Sequence, residues 1–144
     1  MIAHTIEKWH RFLAGKLPGG LDELLADDVV FYSPVVFTPQ KGKDVTMMYL
    51  NAAGLAFGGP STGSAEGTKT GSTFRYTKEV LAGHHAVLEF EAEVGGRQVN
   101  GVDMMRWNDA DQLVSFTVMI RPMRGLEAVV AAMRAQLEAT APHA

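Results

Sequence analysis

The group with the clearest chemical potential is Asp103, inside the run Val99-Asn100-Gly101-Val102-Asp103-Met104-Met105-Arg106-Trp107. Strand side chains alternate, so Gly101 and Met105 are its same-face neighbours. A carboxylate in that setting is costly unless something stabilises it. Desolvation also raises its pKa toward the range where it works as an acid or base near neutrality. Two more groups offer polar hydrogens, the indole N–H of Trp9 and the hydroxyl of Ser33, which precedes Pro34. Each of the three has a structural reading beside the chemical one. Asp103 can be satisfied by Trp9, a buried backbone group or an arginine; Trp9 can be core; Ser33 can simply end a strand in a turn.

The histidines carry less. His84 and His85 are adjacent and point to opposite faces of a strand, and no third ligand follows at suitable spacing, so no metal site is expected. His10 lies one helical step from Trp9 and is read as solvent-facing, while His4 and His143 lie near the ends. The sequence has no Ser-His-Asp set, phosphate-binding glycine loop or dinucleotide fingerprint, and no cofactor is expected.

The elements that must position Asp103 are legible from periodicity. Its strand turns through Asn108-Asp109-Ala110-Asp111 and returns over residues 113–121, where Pro122 stops it. Upstream, Leu88, Phe90, Ala92 and Val94 alternate with Glu89, Glu91 and Glu93, the pattern of a half-buried antiparallel strand. Gly95-Gly96 then forms a tight hairpin turn. Residues 74–80 alternate as well.

At the other end, Ile6, Trp9, Phe12 and Leu13 recur at helical spacing, which predicts a helix over 5–14 with Thr5 as N-cap. Leu21, Leu24 and Leu25 mark a short second helix, with Asp22 and Glu23 in its first turn. A strand follows over 29–33, then a turn over 39–42. Val45, Met48, Tyr49, Ala52 and Leu55 predict a third helix; Leu126, Val129, Val130, Met133 and Leu137 predict a last one. The stretch 58–73, rich in glycine, serine and threonine, reads as a loop, either at a pocket rim or merely connecting.

The 144 residues suit one domain spanning 1–144. A hydrophobic fraction of 47% with 20% charged residues makes it globular. A net charge of -3 and the lack of any basic run argue against nucleic acid as a partner. Without cysteine there is no disulfide, thiol nucleophile or zinc-thiolate site. No secretory leader is read at Met1 to Thr5 and no apolar run is long enough to span a bilayer, so a cytoplasmic protein with no membrane partner is expected. Segregated helices and strands mean α+β, and a bent sheet around the N-terminal helix would leave a cavity open at one end.

Three segments resemble the nuclear transport factor 2-like superfamily, which includes ketosteroid isomerases and SnoaL-like polyketide cyclases. They are Leu24-Leu25-Ala26-Asp27-Asp28 running into Val29-Val30-Phe31-Tyr32-Ser33-Pro34; Gly42-Lys43-Asp44, which opens the third helix; and Val102 to Asn108 followed by Leu113-Val114-Ser115-Phe116. The resemblance implies a cystatin-like, cone-shaped α+β barrel, its bent antiparallel sheet wrapped around the N-terminal helix with an internal pocket. It also implies a homodimer packed through the outer sheet face. Arg106, Arg121, Thr117, Met119 and Val102 fall on that face by alternation, mixing charge with exposed apolar groups.

Ketosteroid isomerases place a catalytic aspartate just before the proline that ends the first strand, and this sequence has Ser33 there. Their protonated late-strand aspartate, an oxyanion donor, matches Asp103. Their helical tyrosine falls near Trp9. With one of three parts kept, steroid isomerisation proper is not expected. What the resemblance implies instead is an apolar pocket for a small hydrophobic ligand. Its walls would be Leu13, Phe31, Leu88, Phe90, Phe116, Val118 and Ile120, with Met105 beside Asp103. Asp103, Ser33 and Trp9 are the candidate catalytic groups of a cofactor-independent isomerase, cyclase or dehydratase. The other reading is a non-catalytic binding or interaction protein on the same fold.

Overall fold

The structure, a computed structural model, describes residues 2–57 and 73–140. The glycine-rich stretch is thus outside the described residues except for Thr73. The chain runs through α1 (Ile2–Leu13), α2 (Gly20–Leu24), β1 (Leu25–Tyr32), β2 (Gln40–Lys41), α3 (Lys43–Ala56), β3 (Arg75–Ala82), β4 (His85–Val94), β5 (Arg97–Trp107), β6 (Leu113–Arg121) and α4 (Met123–Thr140). The strands form one curved, unclosed sheet in the order β2-β1-β6-β5-β4-β3. The α+β architecture is the expected one.

Several local expectations shift. β1 pairs with β6 in parallel, so the sheet is mixed rather than wholly antiparallel. A parallel neighbour needs a long crossover, which α3 and β3 to β5 supply here. Residues 40 and 41, read as turn, pair with Phe31 and Val30 as a short edge strand. Leu25 leaves the second helix and starts β1, because its side chain is fully buried there. Thr5 is no N-cap. It lies inside α1, buried, and its Oγ1 donates to Asp111 Oδ1 at 2.5 Å. Lys8 Nζ adds a bond to the Asp111 carbonyl at 3.2 Å, so α1 is tied to the turn of the β5–β6 hairpin. That turn is shaped by Asn108, whose Oδ1 accepts from the backbone N–H of Ala110 and of Gln112.

The family-like motifs at the other edge have a mechanical meaning. Gly42 takes φ 112, a conformation suited to glycine. Lys43, the first residue of α3, donates from Nζ to the Asp22 carbonyl at 2.9 Å and lies 3.5 Å from Asp27 Oδ1. One lysine therefore holds α3 against the α2–β1 corner.

The inner sheet face carries two apolar clusters. One, against α1, contains Ile6, Trp9, Leu88, Met105 and Trp107 among others. The second, against α4, is built on Phe90, Val94, Val99 and Val129. Tyr76 packs against both.

Gly101 sits on β5 opposite Phe90 of β4 and Ile120 of β6. A Cβ there would lie 2.4 Å from Phe90 Cζ and 2.7 Å from the Met119 carbonyl oxygen. The Phe90 ring thus lies over the backbone where a side chain would stand. Gly101→Ala is expected to cost about 1–3 kcal/mol by forcing both that ring and the Met119 carbonyl aside, read as a lower urea midpoint with an unchanged slope. An unshifted midpoint would mean that the ring and the Met119 carbonyl both have room to move.

Candidate functional site

Between the two clusters lies a cavity of about 600 Å³ whose walls are overwhelmingly apolar. Asp103 reaches it from the middle of β5, between Leu88 of β4 and Val118 of β6. It is buried, with 7% of the residue exposed. The partner that stabilises it is Tyr76, whose hydroxyl donates to Asp103 Oδ2 at 2.6 Å. Trp9 Nε1 in turn donates to the Tyr76 oxygen at 3.1 Å. Asp103 therefore ends a three-member chain that begins on α1 and passes through β3. The sequence alternatives had Asp103 meeting Trp9 directly; a tyrosine stands between them.

Tyr76 was not singled out in the sequence, and the cause is a β-bulge. Strict alternation puts Tyr76 and Lys78 on one face. The register of β3 shifts between these two residues, with Tyr76 opposite Phe90 but Lys78 opposite Glu89. Tyr76 then points inward, while Lys78 stands outside, 3.7 Å from Glu89 Oε1. A hydroxyl-bearing ring close to Phe74 in an alternating strand was the one available hint.

Trp9, Leu13, Phe31 and Ser33 line the cavity, as do Phe90, Phe116, Val118 and Ile120. Leu88 and Met105 do not. Leu88 is fully buried and Met105 2% exposed, both in the cluster that α1 covers, so the helix fills the space that alternation alone assigned to a pocket. Ser33 is at the wall, but its Oγ accepts from the N–H of Val35 at 3.0 Å and of Val36 at 3.3 Å. Its oxygen shapes the turn after β1. His10 is half-exposed, pairs with Glu79 Oε2 at 2.5 Å and meets the Tyr76 ring edge-on. Among the described residues no group of His, Asp and Glu could hold a metal ion.

Burial pushes the Asp103 carboxyl from the usual 3.8 to about 7, and the Tyr76 hydrogen bond opposes part of that rise. Tyr76 itself is held well above its ordinary value by burial first and by the adjacent Asp103 charge second. Near neutrality the pair therefore exchanges one proton at the carboxyl while the phenol keeps its own. With Asp103 ionised, Tyr76 donates to it. With Asp103 protonated, the acid can donate to the tyrosine oxygen or to a ligand, and the phenolic hydrogen is released toward the cavity.

No family model matches the sequence, and no curated protein matches it. Solved structures do. A steroid delta-isomerase from Pseudomonas aeruginosa is 35% identical, with a TM-score of 0.80 over 95% of this chain and 91% of that one. An uncharacterised protein with a cystatin-like fold from Silicibacter pomeroyi is 28% identical, with a TM-score of 0.77 over 95% of this chain and 87% of its own. A nuclear transport factor 2-like protein of unknown function from Mesorhizobium loti is 19% identical, with a TM-score of 0.61 over 83% of this chain and 90% of that one, and shares the fold.

Two measurements test the electrostatics. In the native state Asp103 keeps its proton up to about 7, whereas the unfolded chain releases it near 3.8. Its contribution to stability is thus greatest below the unfolded value and is lost as pH rises through the folded one, by about 4 kcal/mol in all. Asp103→Asn removes this dependence. The stability difference, wild type minus Asp103→Asn, should fall across that window, and a flat difference would mean that the carboxylate is not desolvated. In Tyr76→Phe the carboxyl loses the bond that lowers its pKa, so its carbon-13 titration should move to still higher pH. The variant also leaves the Trp9 N–H unpaired, at a cost of about 1–3 kcal/mol.

Proposed function

The chain belongs to the nuclear transport factor 2-like superfamily, and on that premise we propose that it binds a small apolar carbonyl compound and acts on it by cofactor-independent acid/base chemistry. The observation that carries this reading is the Tyr76–Asp103 hydrogen bond at 2.6 Å inside an otherwise apolar cavity. The ligand oxygen rests against the Tyr76 hydroxyl and the protonated Asp103, two donors that strengthen as negative charge grows on that oxygen. The same carboxyl, with its pKa near 7, is the single group at hand to give or take a proton near neutrality. Trp9 orients Tyr76 from behind.

The 35% identical Pseudomonas aeruginosa protein is a steroid delta-isomerase. Steroid isomerisation itself is not the reaction we infer, because Ser33 stands where the ketosteroid isomerases carry their base. Asp103 is the only carboxylate among the described cavity-lining residues. A one-carboxyl site suits enolisation in which the ionised Asp103 takes the α-proton while the Tyr76 hydroxyl donates to the carbonyl oxygen, the protonated carboxyl then returning that proton to the enolate. The second reading, a binding protein without chemistry, is favoured by the Ser33 oxygen being engaged by the Val35 and Val36 N–H groups.

Self-association through the outer sheet face belongs to the same reading. Val80 and Met119, each 54% exposed, lie on that face beside a chain of polar contacts from Glu89 through Asn100 to Arg121. A homodimer measured by light scattering would support it, and a monomer at micromolar concentration would remove it.

The deciding comparison uses an aryl methyl ketone and the matched ethyl arene. Wild type should prefer the ketone by about tenfold below the Asp103 pKa, the equivalent of about 1.4 kcal/mol. The preference should fade as pH rises past about 7, where the carboxylate has lost its donor. Wild type in deuterated buffer should also exchange the ketone α-hydrogens faster than Asp103→Asn does. Binding without exchange selects the non-catalytic reading; equal affinity for both compounds rejects the carbonyl site.

A further inference from the structure

The cavity wall supplied by α4 consists of Val129, Val130, Met133, Arg134 and Leu137. Their spacing places them on one helical stripe. Arg134 breaks an otherwise apolar run. It is exposed, and neither an ion pair nor a hydrogen bond to it occurs among the described residues. Arg134 and Asp103 are the only two formally charged side chains among the described lining residues. They differ in depth, because Asp103 is 7% exposed and Arg134 is open to solvent. Other exposed lining residues include the apolar Val35, Val36 and Leu55, between 41% and 55% exposed. Asn51, also exposed, adds a neutral amide from α3, the helix against which α4 packs.

The site thus has a buried donor pair, apolar walls, and one solvent-exposed cation without a partner among the described residues. We propose that the ligand is an apolar oxo-acid, with its carbonyl at Tyr76 and Asp103 and a carboxylate at Arg134. This deepens the carbonyl-site reading and rests on it. A guanidinium presents a planar fork that matches a carboxylate. A single cation without a second basic group suits a single negative charge better than a phosphate dianion. The arginine also selects orientation, since a ligand turned end for end would bring its carboxylate against Asp103.

The test uses two probes, a naphthyl ketone with a terminal carboxylate on a short methylene chain, and its methyl ester. Titration calorimetry on wild type should show the acid binding about fivefold tighter than the ester, the scale of an exposed ion pair. Raising the salt should erode that preference, because the pair is solvent-facing. In Arg134→Gln the acid should fall to the level of the ester, and in Arg134→Lys part of the preference should return. Tyr76→Phe should weaken both probes alike. Equal binding of acid and ester to wild type, or a preference that survives Arg134→Gln, overturns the role of Arg134. The carbonyl site then still stands if Tyr76→Phe weakens both probes. Failure of both probes to bind wild type, or indifference of both to Tyr76→Phe, overturns the carbonyl site and the oxo-acid ligand with it.

Discussion

Burying one carboxyl in an apolar cavity is the constraint around which this protein is arranged. A charge removed from water without compensation is too costly to keep, so either the group stays protonated or donors must meet it. Both happen here. Tyr76 donates to Asp103, and burial nonetheless lifts the carboxyl to about 7. The tyrosine needs a support of its own, which Trp9 supplies from α1. Three elements distant in sequence must therefore be held at hydrogen-bonding distance, 2.6 Å between Tyr76 and Asp103 and 3.1 Å between Trp9 and Tyr76.

The surrounding fold reads as the means of doing so. The α1 helix is fixed to the β5–β6 turn through Thr5 and Lys8, both bonded to Asp111. That contact sets the helix over the end of the sheet where Leu88 and Met105 are sealed, and so decides where the cavity stops. At the far side, Phe90 lies over Gly101, and Phe57, Phe74 and Tyr76 pack around it edge to face or stacked. The aromatic wall is thus continuous with the hydroxyl that serves the acid. The aromatic packing and the Tyr76–Asp103 pair share Tyr76, and Gly101, two positions from Asp103, leaves the room that the Phe90 ring occupies.

Polarity within the cavity is graded by depth. The deep group, Asp103, changes its protonation near neutrality because it is dry, while the Arg134 guanidinium lies exposed to solvent.

Much of this could be read from the chain before folding. Two-residue alternation located β4, β5 and β6 and put Asp103, Phe90, Phe116, Val118 and Ile120 on one face, because strand side chains have no other choice. Helical spacing found α1, α3 and α4 for a similar reason. These are local rules, and they hold wherever one face of an element is buried. What they could not supply depends on non-local placement. The bulge that turns Tyr76 inward is a pairing property of β3 with β4, not of residues 75–82 alone. The parallel docking of β1 on β6 joins segments far apart in the chain. Thr5 carries the composition of an N-cap, yet the helix begins earlier and the hydroxyl serves Asp111 instead. Leu88 and Met105 obey the alternation that predicts a pocket wall, but α1 occupies the space in front of them. Sequence determined which side chains share a face; tertiary structure decided which of those faces meet a helix, a cavity or each other, because that depends on where elements dock rather than on their own periodicity.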